Sequence, residues 1–179
     1  GIPIYFYAVL SDGTKAGTQT AFFAIGIFMA IWIILYGLVQ ANTPRLLRAK
    51  QRGQGALIKD SATWVLVLAV VPAVLALVLY LTVSPSSVTT SVLVIGLLLF
   101  GAVFAVNSAL HSYLILAFTD SERVTMDVGF YYMSNAAGRL LGTVLSGLSY
   151  QLGGVWLCLA LASAMLIISA LGAHKLRSF

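Results

Sequence analysis

Six side chains in this sequence are of types that bind or steer a small charged molecule: Arg139, Asn135, Tyr131, His111, Asn107 and Gln40. Arg139 carries a planar guanidinium whose fork matches the oxygens of a phosphate or carboxylate group. It lies near the middle of DVGFYYMSNAAGRLLGTVLSGLSY, residues 127–150, where Asp127 at the start is the only other charge. Counting by four from Asp127 gives Tyr131, Asn135, Arg139, Thr143 and Gly147, polar or small at every step and, on a helix, all on one face. Tyr131, Asn135 and Thr143 are thereby expected to solvate the Arg139 side chain. His111 follows Asn107 by four residues and shares its face, and it is the candidate for proton coupling. Gln40 follows Tyr36 at the same spacing near the end of an earlier apolar stretch.

Beside the polar face runs a second stripe, Ser134, Gly138, Gly142 and Ser146, which contains a GxxxG pair. Small residues let two membrane helices approach closely where lipid supplies no hydrophobic drive, so this stripe is expected to be a helix-packing seam. Each polar residue also has a structural explanation. Arg139 could be a clamp satisfied by backbone carbonyls or by a partner on another helix. His111 could bond a neighbouring helix, and Asn107 and Asn135 could be interhelical glue. A purely structural or assembly role accounts for the glycine stripe and leaves the central arginine unexplained.

The elements that position these groups are set by composition. The 179 residues are 60% hydrophobic and only 8% charged, with a mean hydropathy of +1.01, far from soluble globular chains in which about a quarter of residues are charged. The chain reads as an all-α membrane protein. A net charge of +5 would suggest nucleic acid in a soluble protein, but here the basic residues sit in short loops between apolar spans, as the positive-inside bias requires, and no nucleic-acid role is expected. Cys158 is the lone cysteine, so no internal disulfide forms.

A helix needs about 20 residues to cross a hydrocarbon core. On that measure the expected spans are a partial one at 1–10, then 19–40, 62–82, 92–118, 128–149 and 155–173. The opening GIPIYFYAVL lacks a basic n-region and a cleavage site, so it is read as the end of a span that begins elsewhere, and the chain as a fragment of a longer protein. The loop 42–60 carries Arg45, Arg48, Lys50, Arg52 and Lys59, with Pro44 expected to end or bend the helix before it. Alternating spans put that loop, Arg123 and the tail residues Lys175 and Arg177 on one side, eight of the ten basic residues, with Lys15 opposite. That side, and with it the C-terminus, is expected to be cytoplasmic in a plasma (inner) membrane protein. Within the spans, Pro72 is expected to kink its helix, Trp64 and Tyr80 to anchor at the interfaces, and QLGG at 151–154 to form a tight turn.

Catalytic patterns are missing from the sequence: it contains no HExxH, no GxSxG and no Walker loop, and two histidines with one cysteine make a metal cage unexpected. An enzyme is therefore the weaker class, and no cofactor is expected. The span order, the basic loop between the second and third spans, and N-x-x-G-R-x-x-G-T in the fifth resemble the C-terminal half of a major facilitator superfamily transporter. More narrowly, YGLVQANTPRLL (Tyr36 to Leu47), FAVNSALHSYLILAF (Phe104 to Phe118) and MDVGFYYMSNAAGRLLGT (Met126 to Thr143) resemble the organoarsenical efflux permease family ArsJ. That resemblance implies export of 1-arseno-3-phosphoglycerate, formed by a partner glyceraldehyde-3-phosphate dehydrogenase, and hence arsenate resistance, with an N-terminal half completing the carrier. It implies no particular binding residues. The alternative is an exporter of another small molecule, such as a drug or a sugar-like metabolite, in which Arg139 pins the fold.

Overall fold

The structure is a computed structural model that describes residues 2–47, 54–82, 86–119 and 124–175. Every regular element among them is a helix: α1 (Ile2–Leu10), α2 (Lys15–Leu46), α3 (Gln54–Leu81), α4 (Ser87–Phe118) and α5 (Val124–Lys175). Four of these, α2 to α5, are long and apolar enough to cross a membrane, which makes the chain an all-helical protein with the form of a multi-pass membrane bundle.

Helices α2 to α5 each start ahead of the apolar stretch that marks them in the sequence, and at α2 and α4 a local cap sets the start. Helix α2 begins at Lys15, ahead of the expected residue 19, where the Thr14 hydroxyl accepts from the Gly17 N–H at 3.0 Å. Helix α4 begins at Ser87, ahead of the expected residue 92, because Ser86 caps it by accepting from the Thr89 N–H at 3.1 Å. The basic loop at 42–60 is much shorter than its sequence suggests. Helix α2 continues through Pro44 to Leu46, and α3 starts at Gln54. Proline costs the ladder only the bond its own N–H would have given to the Gln40 carbonyl, and the Leu47 N–H still closes on the Thr43 carbonyl at 2.9 Å. Arg45 thus sits in the last turn of α2, where a cation complements the helix dipole. Arg48, Lys50, Arg52, Arg123 and Arg177 lie outside the described residues.

Helix α5 is two arms, not one rod. Gly154 leaves helical geometry at φ 72°, ψ −157°, a region open essentially to glycine alone. Across it the Cys158 thiol donates to the Ser146 carbonyl at 3.3 Å. Twelve residues of straight helix would hold those groups about 18 Å apart, so the chain has reversed. The expected turn QLGG is in effect one residue, since Gln151–Gly153 remain helical. Each arm, 124–153 and 155–175, is long enough to cross a bilayer by itself.

Helix α3 is the hub, packed against α4 and α5, with α2 on α4 and α1 on α2. Residue registers give the directions. Trp32 and Tyr36 of α2 meet Leu97 and Phe104 of α4 in ascending order, so these helices run parallel. Leu57 of α3 clusters with Leu110 and Leu114 while Leu75 clusters with Leu93 and Leu97, so α3 and α4 run antiparallel. Tyr80 touches Trp156, and Ser163 donates to the Ala69 carbonyl at 2.8 Å, so the second arm of α5 also opposes α3. The chain therefore crosses back and forth with each helix. The core divides along its length into a cluster of Phe6, Leu75, Ala76, Leu93, Leu97, Val155 and Leu159 and a second of Leu57, Val106, Leu110 and Leu114. Pro72 is buried inside an unbroken α3.

The α2–α4 contact depends on one absent side chain. Trp32 Nε1 donates to the Leu97 carbonyl at 2.9 Å, and a Cβ on Gly101 would lie 2.6 Å from that same nitrogen. The indole can approach the α4 backbone only because residue 101 is glycine.

Candidate functional site

The polar face of 127–150 falls on the first arm of α5, and this arm is the least enclosed part of the molecule. No residue from 125 to 148 is buried; Asn135 and Arg139 are exposed, and Tyr131 and Asp127 are half-buried. Asp127 occupies the first turn, where a carboxylate favours the helix N-terminus. Tyr131 lies against Tyr132, ring centroids 5.6 Å apart. Among the described residues nothing pairs with the Arg139 guanidinium, and in particular no carboxylate does.

Thr143 is joined to Arg139 through the backbone. Its hydroxyl donates to the Arg139 backbone carbonyl at 2.8 Å, the usual way a helical threonine satisfies itself four residues back. The Thr143 oxygen keeps its accepting capacity and the guanidinium only donates, so Tyr131, Asn135 and Thr143 all remain able to share its solvation along the stripe.

The small-residue stripe is likewise not a packed seam within the described chain. Ser134 is exposed, and a Cβ built on Gly138 or Gly142 would meet nothing within 4 Å. Only its last member is engaged: the Ser146 carbonyl accepts from Cys158 and, at 3.3 Å, from the Ser149 hydroxyl. Above that contact the two arms are separated by a cavity of about 340 Å³, lined by Gly142, Ser146 and Cys158 together with Pro72, Leu97 and Phe100. None of the six candidate binding residues lines it.

On α4, Asn107 and His111 are joined as their spacing predicts, but through the backbone. A carbonyl can only accept, so His111 Nδ1 donates to the Asn107 carbonyl at 2.9 Å and Nε2 is left as the free ring nitrogen. The Asn107 side chain is 8% exposed, and its Oδ1 is buried without a partner among the described residues. Gln40 is half-buried in α2, one turn before Pro44. The structure thus forms two separate polar groups, one along the first arm of α5 and one on α4.

The sequence reading misses several features because they are built between helices: the Trp32–Leu97 bond, the Ser163–Ala69 bond and an aromatic column at the α2–α4 seam. In that column Trp32 stacks on Tyr36 at 5.6 Å, Tyr36 meets Phe104 at 5.6 Å, and Phe104 stacks on Phe100 at 5.9 Å. The four-residue spacings 32–36 and 100–104 were a visible signal for it. No protein-family model, curated protein or solved structure matches the chain.

Proposed function

We propose that this protein is the C-terminal half of a major facilitator carrier that exports a small anionic organoarsenical, 1-arseno-3-phosphoglycerate, across the plasma membrane, with the basic helix ends in the cytoplasm. In this reading α2 to α4 and the two arms of α5 are five complete spans and α1 is a partial one. A second helical body faces the first arm of α5, and the cargo binds between the two bodies and is released on the other side as they rock. The protein moves its cargo without altering it, and a glyceraldehyde-3-phosphate dehydrogenase supplies that cargo.

The observation that carries this reading is the Arg139 side chain: midway along an arm whose only other charge is Asp127, exposed, and free of any described acidic partner. Left in lipid, such a group costs at least about 2.5–3.5 kcal/mol, so its face belongs to a wet cavity. A multiply charged anion reaching mid-membrane needs a fixed cation that donates to two of its oxygens at once. Arg139 supplies that fork and Asn135 and Tyr131 supply neutral donors beside it, and in this reading Asn107, His111 and Gln40 line the same cavity. The test is arsenate resistance in cells carrying Arg139→Gln or Arg139→Lys at matched membrane expression. Gln should abolish resistance and Lys should retain part of it, because Lys keeps the charge and loses the fork. Undiminished resistance with Gln removes the binding role.

The aromatic column at the α2–α4 seam favours a second reading, a carrier of the same fold for an uncharged aromatic compound, with Arg139 as a clamp. Cells challenged with arsenate and with a panel of neutral drugs separate the two: the second reading predicts drug protection that Tyr36→Ala removes and Arg139→Gln spares.

A further inference from the structure

The first arm of α5 has two chemically different sides. At helical spacing Phe130, Met133, Leu140, Leu141 and Val144 fall on one of them, and Ser134, Asn135, Gly138, Arg139 and Gly142 on the other. Every residue from Tyr132 to Leu141 is exposed, so for about three turns around the middle of the arm both sides are open. The apolar side is complete with lipid against it. The side that holds Arg139 is not, because lipid offers a cation no partner.

The chemistry of what covers that side follows from its charge and its backbone. A Cβ on Gly138 or Gly142 would meet nothing within 4 Å, so a further helix can approach the arm closely there. Arg139 is exposed beside them, and no described carboxylate pairs with it. A cation at this depth is satisfied by water, by backbone carbonyls or by an opposite charge. A helix packed on the glycines displaces the water and keeps its own carbonyls in its ladder, which leaves a carboxylate as the compensating group. A second copy of this chain does not supply one. Copies in one membrane share an orientation, which sets Arg139 against Arg139 at the same depth, while Asp127 lies twelve residues and about 18 Å away along the axis.

We infer that the Arg139 side of the arm is the docking surface for a membrane helix that carries a carboxylate at the depth of Arg139 and crosses the arm at Gly138 and Gly142. The inference deepens the reading above, since it rests on a second helical body facing the arm and gives that body its chemistry. A guanidinium holds a carboxylate or a phosphate through the same fork. An arriving anion therefore takes the place of the carboxylate, and the empty carrier leaves no uncompensated cation in the membrane.

The experiment places the full chain, labelled with a donor fluorophore at its amino terminus, in lipid vesicles. It measures energy transfer to an acceptor-labelled synthetic helix of leucine and alanine, of membrane-spanning length, with one central Asp, Asn or Lys. Saturable transfer is expected with the Asp helix, association about tenfold weaker with the Asn helix, and nothing above random mixing with the Lys helix. Arg139→Gln should lower the Asp helix to the level of the Asn helix and leave the Asn helix unchanged. Gly138→Leu should weaken both without altering thermal unfolding, because a Cβ there meets nothing in this chain. No saturable transfer with the Asp helix, equal association of the Asp and Asn helices, or an Asp preference that survives Arg139→Gln overturns the inference. Arsenate resistance separates this outcome from that of the export reading. Resistance lost in Arg139→Gln without any Asp preference in the wild type strikes the carboxylate partner alone, and an Asp preference with undiminished resistance strikes the cargo site alone.

Discussion

Helix α3 and the first arm of α5 have similar length and a similar apolar character, yet they occupy opposite positions in the molecule. Leu57, Val65, Leu68 and Pro72 of α3 are among the most completely buried side chains in the chain. The arm has no buried residue between 125 and 148. Hydropathy marks both as membrane helices, because it measures only transfer from water. Burial separates the helix that organises this bundle from the helix whose neighbours are lipid, water or another body. The midplane arginine and the glycine stripe both lie on the second kind, which is why that arm, rather than the core, is assigned to function.

The sharpest way to break this contrast is a pair of truncations. Leu68→Ala should destabilise the bundle by about 2–5 kcal/mol, the cost of a cavity in a closed core, because Leu68 is 0% exposed. Leu140→Ala on the arm, 67% exposed, should change stability by less than about 0.5 kcal/mol. Equilibrium unfolding in mixed micelles of the full chain gives both numbers. A large loss for Leu140→Ala would mean that a copy of the chain already covers the arm in the micelle. Next in size is the reversal that lets the arm stand apart. Gly154→Ala should cost about 1–3 kcal/mol, because the φ 72°, ψ −157° conformation is sterically barred to a residue with a Cβ.

How far the sequence discloses this arrangement depends on how local the cause is. The helical class, the alternation of spans and the reversal after the first arm are written in runs of apolar residues and in Gly153–Gly154, and they are legible because each depends on neighbours in the chain. Helix ends were less so: Thr14 and Ser86 start their helices before the apolar runs begin, and Pro44 stays inside α2 because it sits where few ladder bonds remain to be broken. For the candidate site, the four-residue spacing of Asn107 and His111 and of Asn135 and Arg139 correctly puts each pair on one face. It could not show that Thr143 turns to its own backbone, or that Gly138 and Gly142 meet no helix of this chain. Those outcomes depend on residues far apart in sequence, such as Ala69 and Ser163, whose pairing no periodicity encodes.

That last pair sharpens the comparison from the other arm of α5. Ser163 donates to Ala69 at 2.8 Å in a buried position, holding the second arm directly to α3, whereas the first arm is tied to the second through Cys158, which bonds Ser146 and Ser149. Ser163→Ala should cost about 0.6 kcal/mol, the average of such bonds in a membrane interior, measured by the same unfolding titration. A value near zero would show that packing of Val155 and Leu159 alone holds the arm to the hub.

The smallest expected effect lies outside the membrane, at the entry to α2. The Asp12 carboxylate accepts from the Thr14 hydroxyl at 2.7 Å and from the Thr14 N–H at 2.9 Å, while the Thr14 oxygen in turn accepts from Gly17. The hydroxyl bond first, then the N–H bond, holds Asp12 below its ordinary value of 3.8. A folded-state value below the unfolded one means that the carboxylate's contribution is fully present above the ordinary value and is lost as pH falls through the lowered one. Stability followed by thermal unfolding from about pH 6 downward should therefore begin to fall near the ordinary carboxylate range and continue falling below it. Asp12→Asn keeps an acceptor that does not titrate, so its profile should be flatter in that window and should meet the wild-type profile at the acid end. Since the loop is fully exposed, added salt should shrink the difference. If salt leaves it unchanged, the carboxylate acts by orienting Thr14 over the first turn of α2 rather than through its charge, and Thr14→Ala should then erase the pH dependence as completely as Asp12→Asn does.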